Sequence, residues 1–357
     1  MQITKQLLPE DQRKPRPTDE SALGFGKIFT DHMFMAEYNP ERGWHEPRIV
    51  PYQQLVLDPA ALVLHYGQAV FEGLKAYRGE DGSIYLFRPM DNVRRMNRSA
   101  RRLCIPEVPE QLLLEGMMEL VRVDKEWVPA SEGTSLYIRP VIIATEAFLG
   151  VKVSSRYLLY VIVGPVGAYY AEGFNPVRIY VEEEFVRAVA GGLGEAKTPA
   201  NYAASLLAAQ LAHARGFTQV LWLDACDKKG VEEVGTMNIF FKIAGEVITP
   251  ELSGSILPGI TRDSVITLCR HWGLKVTERR ITIDEVIEAC AAGTLEEVFG
   301  TGTAAVISPV GSIHYRGKDY QVADGNTGEL AKRLYEEITG IQYGRLADPF
   351  GWRVKVC

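Results

Sequence analysis

Gly191-Gly192-Leu193-Gly194-Glu195-Ala196-Lys197-Thr198-Pro199-Ala200-Asn201-Tyr202 sets a single lysine among small residues. A lysine desolvated by such packing loses its proton more readily and becomes a nucleophile. Downstream, Val231-Glu232-Glu233-Val234-Gly235-Thr236-Met237-Asn238 offers a carboxylate at Glu233. Leu257-Pro258-Gly259-Ile260-Thr261-Arg262 reads as a glycine turn entering a helix, whose unpaired first N–H groups and dipole favour a phosphate. A second small-residue turn, Gly300-Thr301-Gly302-Thr303-Ala304-Ala305, adds hydroxyl and amide donors. An amine, a carboxylate for a pyridine nitrogen and donors for a phosphate are the three anchors that pyridoxal phosphate needs. Singly, each has a plainer reading: a solvated lysine, a surface or capping carboxylate, an ordinary helix start. Their order along one chain is what points to the cofactor.

Composition narrows the alternatives. A chain of 357 residues, 46% hydrophobic, has enough apolar mass for two domains. Its formal charge of −6 and pI near 5.7 give no basic footprint for nucleic acid, so a small anionic substrate would need local cations. The five cysteines, Cys104, Cys226, Cys269, Cys290 and Cys357, form no CxxC pair and read as buried free thiols rather than disulfides or zinc ligands. The N-terminus turns polar within a few residues, and the apolar run at 157–163 is too short to span a bilayer, so a cytoplasmic protein is expected.

Around the lysine run, the periodicities predict an α+β protein of two domains. Strands are expected at 28–38, 83–87, 137–140 and 157–163, with helices at 91–103 and 110–127. The glycine- and proline-rich stretch 164–177 reads as an interdomain linker, giving an N-terminal α+β domain over 1–163 and a C-terminal cofactor-binding domain over 178–357. The second half alternates a helix at 201–214 closed by Gly216, strands at 220–224 and 238–243, and a helix opening near Thr261 and stopping at Gly273. Thr282-Ile283-Asp284-Glu285 is a capping-box signature. No Gly-x-Gly-x-x-Gly leads from a strand into a helix, which disfavours a dinucleotide fold.

These runs, with Phe29-Thr30-Asp31-His32-Met33, Leu64-His65-Tyr66, Phe71-Glu72-Gly73 and Leu136-Tyr137-Ile138-Arg139-Pro140, resemble the branched-chain amino acid aminotransferases, fold type IV pyridoxal phosphate enzymes, in order over about residues 24–345. The resemblance implies reversible, ping-pong transamination of leucine, isoleucine and valine with 2-oxoglutarate. Lys197 would form the Schiff base and carry the proton between the amino acid Cα and the cofactor. Arg95, Tyr202, Glu233, Ile260, Thr261 and Thr303 would join Lys197 in holding the cofactor. Thr236 and Ala304 would meet the substrate carboxylate, and Phe25, Tyr66, Phe71, Tyr137 and Tyr169 would wall the side-chain pocket. Val151 would reach in from the second subunit of a homodimer. Aromatic walls separate leucine, isoleucine and valine by only about 1–3 kcal/mol per methylene, so broad use of all three follows. Arg139 is the candidate for the second carboxylate of glutamate, with a structural ion pair as its plainer reading.

Ala305 and Ser308 stand where vertebrate members of that family carry a CxxC redox pair, so thiol regulation of that kind is not expected. Within the same fold, a D-amino acid aminotransferase or an aminodeoxychorismate lyase is the alternative, and the Tyr-Ile-Arg-Pro and Glu-Val-Gly-Thr-Met-Asn runs favour the branched-chain type. A non-catalytic homologue would have no need of Lys197, Tyr202 and Glu233 together.

Overall fold

The computed structural model describes residues 2–167 and 174–357, and the chain divides into two compact units. Met1–Tyr169, Ala196–Pro199 and Gly340–Cys357 form the first, and Tyr170–Glu195 with Ala200–Thr339 the second. The lysine at the centre of the sequence argument therefore belongs to the first unit, although the chain on both sides of it belongs to the second. No helix among the described residues is long and apolar enough to cross a membrane.

The first unit is built on one sheet. Its elements are β1 (Thr4–Lys5), β2 (His32–Asn39), β3 (Gly43–Pro51), α1 (Leu62–Tyr66), β4 (Ala69–Phe71), β5 (Leu74–Arg78), β6 (Ile84–Phe87), α2 (Pro89–Arg102), α3 (Glu110–Val123), β7 (Ser135–Ala144) and β8 (Tyr157–Val166). The strand order is β1-β3-β2-β8-β7-β5-β6, closed at its far edge by the C-terminal strand Arg353–Lys355, with β4 also paired to β7. The helix α3 buries the face predicted for it, Leu112, Leu113, Met117, Leu120 and Val121. Its close approach to the sheet depends on Gly116, where a Cβ would lie 2.7 Å from Phe34 Cζ on β2. Each large side chain buried there contributes about 1.5–3 kcal/mol.

One irregularity of this sheet prepares the chemistry. Between β4, which pairs with Val141–Ile143, and β5, which pairs with Leu136–Ile138, the ladder is interrupted at Glu72 and Gly73. The gap faces Arg139 and Pro140, so the proline sits inside a central strand where no N–H is required of it toward this neighbour. Glu72 N donates across the gap to Pro140 O at 2.8 Å.

The second unit comprises β9 (Val177–Glu182), α4 (Pro199–Ala214), β10 (Gln219–Leu223), β11 (Val231–Val234), β12 (Met237–Ile243), β13 (Glu246–Thr249), α5 (Ile260–His271), β14 (Val276–Glu278), α6 (Ile283–Ala291), β15 (Leu295–Gly302), β16 (Val306–Tyr315), β17 (Lys318–Gln321) and α7 (Glu329–Gln342), whose last turn enters the first unit; the edge strand closing the first sheet is β18. The order β11-β10-β9-β16-β15-β12 returns to β11 through the β11–β12 pairing, so these strands close into a ring. A closed ring leaves no open edge among its members.

Gly216 and Gly273, at φ +82 and +74, end helices where their sequence positions predict. The Thr282 side chain accepts from Glu285 N, as its capping signature requires. Two expectations need correction. The helix expected over 110–127 ends at Val123 and resumes as a tighter turn over Lys125–Trp127, because Asp124 leaves helical geometry. Of the five free cysteines only Cys269 is buried; Cys290 is half-buried, and Cys104, Cys226 and Cys357 are exposed.

Candidate active site

In the first unit, the segment carrying Lys197 is stitched to β4 and α2 by three hydrogen bonds. Phe71 N donates to Lys197 O at 3.0 Å, Thr198 Oγ1 to Ala69 O at 2.8 Å, and Lys197 N to Ser99 Oγ at 2.8 Å. Fixing the backbone on both sides leaves only the side chain of Lys197 to move. Its Nζ lies 5.1 Å from the Phe71 ring centroid.

At the interruption, the Glu72 carboxylate meets Arg95 on α2. Arg95 Nε donates to Oε1 at 2.7 Å and Nη2 to Oε2 at 2.9 Å, while Asn92 Nδ2 adds a bond of 2.8 Å to Oε2. Both Glu72 and Arg95 are buried. Burial opposes the charge on Glu72, but the Arg95 guanidinium, the bonds it makes, the Lys197 ammonium and Asn92 together hold the carboxyl below its ordinary range. Arg95, expected at a phosphate, is thus found forked on Glu72.

Beside them, register places Tyr137 opposite Lys75, and β7 alternation puts Tyr137 and Arg139 on one face. The Phe25 and Tyr137 rings meet edge-on at 4.9 Å. Gly73 is small because a Cβ there would overlap the Tyr137 hydroxyl. Arg139 Nη2 donates to that hydroxyl at 2.9 Å, and its guanidinium carbon lies 4.8 Å from the Phe71 centroid. Arg139 has no carboxylate partner among the described residues, and its buried Nε has no hydrogen-bond partner. The structural ion pair that was its plainer reading is therefore absent among the described residues. Phe25, Phe71, Tyr137, Arg139 and Lys197 form one cluster.

Two expected residues are exposed in this chain. The Tyr66 side chain is 44% exposed and its hydroxyl donates to Leu149 O, and Val151 is 84% exposed. Tyr169 lies outside the described residues.

In the second unit, Tyr202, Glu233 and Thr236 line one small cleft with Arg187, Asn201, Ser205, Gly235 and Leu257. Glu233 Oε1 accepts from Leu257 N at 2.8 Å, and Oε2 lies 3.2 Å from Arg187 Nε. Asn238, paired in register with Glu233, donates from Nδ2 to Leu257 O at 2.9 Å. The turn entering α5 is therefore pinned beside Glu233 by both polar groups of Leu257. Gly259 caps α5 without any side-chain cap, and a Cβ on it would collide with Asn238 Oδ1. Ile260 and Thr261 are the first residues of that helix and both are buried. Thr303 and Ala304 occupy the half-buried turn between β15 and β16. Thr236 lies in the turn between β11 and β12, and the β12–β15 ladder pairs Asn238 with Thr301, two residues before Thr303.

Sequence reading gave no role to Arg187 or Glu72. Glu72 stood within a quoted motif. Arg187, in Phe185-Val186-Arg187-Ala188, has no neighbouring turn or pattern to mark it, and only the fold brings it to Glu233.

Residues 69–313 match the family model of amino-transferase class IV. The chain is 60% identical to branched-chain-amino-acid aminotransferase 2 of Bacillus subtilis (strain 168), covering 99% of this chain and 98% of that protein. Among solved structures, the branched-chain amino acid aminotransferase of Escherichia coli aligns with a TM-score of 0.76 at 28% identity, over 92% of this chain and 99% of that one. The branched-chain amino acid aminotransferase of Thermobaculum terrenum, solved in its PLP-form, aligns with a TM-score of 0.75 at 25% identity, over 93% of this chain and 100% of that one. The chain belongs to the class IV aminotransferases, with the α+β fold type IV architecture.

Proposed function

We infer that this chain exchanges the amino group between leucine, isoleucine or valine and 2-oxoglutarate, using pyridoxal phosphate, and so makes branched-chain 2-oxo acids and L-glutamate. The observation that carries this on the chain's own residues is the cluster on β4 and β7. Phe25, Phe71 and Tyr137 supply apolar wall, and the Arg139 guanidinium among them has no carboxylate partner among the described residues. Apolar wall suits a branched side chain, and an uncompensated guanidinium suits the distal carboxylate of glutamate. The near full-length identity of 60% to a branched-chain aminotransferase supports the same substrates.

The residues present fit the cofactor. Lys197 offers an amine, Glu233 a carboxylate already held by Leu257 and Arg187, and α5 an N-terminus with no side-chain cap whose glycine permits close approach. When bound, pyridoxal phosphate withdraws electron density from the substrate Cα and makes its proton removable. We assign Lys197 to move that proton, Glu233 to accept from the ring N–H, and Tyr202 to donate to the ring oxygen. Arg95, the Ile260 and Thr261 amides and the Thr303 hydroxyl are assigned to the phosphate. Thr236 and the Ala304 amide are assigned to the substrate carboxylate. Tyr66, Tyr169 and a partner copy's Val151 complete the wall, and the working form is a cytoplasmic homodimer.

The test is direct. The purified protein is yellow when reconstituted, Lys197→Ala abolishes the visible band, and leucine with 2-oxoglutarate yields glutamate. Losing the proton carrier costs about 10²–10⁴-fold in rate or more. A wild type that stays colourless with pyridoxal phosphate, or that turns over D-alanine as well as L-leucine, refutes the assignment.

A further inference from the structure

Glu72 is a buried carboxylate that the roles above leave unused. It is 1% exposed, it lies in the gap between β4 and β5, and it is met by two side chains of α2 and by the N–H of the next residue. Arg95 forks onto both of its oxygens, and Asn92 Nδ2 and Gly73 N bond Oε2 at 2.8 and 3.1 Å. The neighbouring residue Phe71 is bonded through its N–H to Lys197 O, so Glu72 is tied to the backbone of the lysine as well as to the arginine. We propose that Glu72 is a positioning residue, fixing the guanidinium plane of Arg95 toward the cofactor phosphate and supplying the negative charge that stabilises a positive nitrogen at Lys197. This rests on the roles assigned above to Lys197 and Arg95.

Stability alone is a poor reason for such a pair. A buried ion pair returns little over an apolar replacement of equal volume, because desolvating both charges offsets their attraction. A buried guanidinium forked on the carboxylate, with the half-buried Lys197 ammonium acting on the same charge, instead makes an electrostatic device. The fork fixes guanidinium orientation through two bonds, which a single bond could not do. The same charge acts on Lys197, whose ammonium helps hold the Glu72 carboxyl ionised. The other charged or titratable groups on the elements packed here are Lys75, Tyr77 and Arg78 on β5, Tyr137 and Arg139 on β7, and Asp91, Arg94, Arg98, Arg101 and Arg102 on α2. The one carboxylate among them, Asp91, is engaged by Arg88 at 2.7 Å, so it does not substitute for Glu72.

The experiment is a pH titration of the visible band in the reconstituted protein, paired with the dissociation constant of pyridoxal phosphate measured on apoprotein. Glu72→Gln keeps size and polarity and removes the charge. The band's midpoint is expected to fall by about one pH unit, because loss of a nearby negative charge disfavours the positive nitrogen. Cofactor affinity is expected to weaken about tenfold, as for loss of one charge-assisted contact. Asn92→Ala removes one bond to the same carboxylate without its charge, and leaves the midpoint in place. If Glu72→Gln does not fold, Glu72→Asp decides. It keeps the charge but withdraws it by one methylene, and it too must weaken cofactor affinity and lower the midpoint, by less. A folded variant with midpoint and affinity both as in wild type overturns the proposal. Lys197→Ala is titrated in parallel: if it retains the band, the role of Lys197 fails, whereas its loss with an unmoved Glu72→Gln midpoint sinks only the role of Glu72.

Discussion

Replacing Arg139 by Met separates the two halves of the reaction. Arg139 is half-buried between Phe71 and Tyr137, and it bonds the Tyr137 hydroxyl rather than a carboxylate. Met keeps much of the apolar stem against both rings, so leucine retains its contacts. Glutamate and 2-oxoglutarate lose a charge-assisted hydrogen bond, which is worth about 1.5–3 kcal/mol. At about 1.4 kcal/mol per factor of ten, their kcat/KM falls by about 10–150-fold, while that of leucine changes by less than about threefold. Single-turnover half-reactions, followed by the visible absorbance with each amino acid alone, measure the two separately. Equal losses for leucine and glutamate, or an undiminished glutamate half-reaction, refute the assignment of Arg139 to the distal carboxylate. A partial recovery of glutamate use in Arg139→Lys is the accompanying expectation, since a point charge replaces the fork imperfectly.

Gly259→Ala drives a Cβ into Asn238 Oδ1 at the mouth of α5, and relieving it displaces the turn that Glu233 and Asn238 pin; pyridoxal phosphate affinity falls about tenfold or more by equilibrium dialysis, and unchanged affinity counts against a phosphate site there. Burial depresses Lys75 from 10.5 to about 8, and a lowered lysine pKa in the folded state means that the unfolded chain binds more protons between those values. Its destabilising contribution is therefore fully present below pH 8 and is relieved as pH rises toward 10.5, by about 3 kcal/mol at about 1.4 kcal/mol per unit. Lys75→Met removes that rise: denaturant titrations of wild type gain stability between pH 8 and 10 relative to the variant, and parallel curves disprove the depression.

The parts of the fold and site written in local signals were readable, and the parts made by long-range pairing were not. Gly216, Gly273 and the Thr282 cap act within a turn of their own positions, so residue type was enough to place them. The turn into α5 was legible for the same reason: Gly259 and the first helical residues are contiguous. Glu233 was found as a carboxylate, but its partners Arg187 and Leu257 come from other segments, and nothing in Phe185-Val186-Arg187 distinguishes it from any surface basic residue. The meeting of Lys197 with Phe71 required the chain to leave the first unit and return to it for only four residues, Ala196–Pro199, which no periodicity records. Pro140 is the sharpest instance. By itself it argues against a central strand, and it is tolerated only because β4 and β5 break opposite it. Glu72 lies at that break, its N–H still bonded to Pro140 O and its carboxylate meeting Arg95. A proline that weakens the strand assignment and a glutamate without an evident role thus face each other at one gap in the sheet, and the gap becomes visible only when the register of β7 against both neighbours is known.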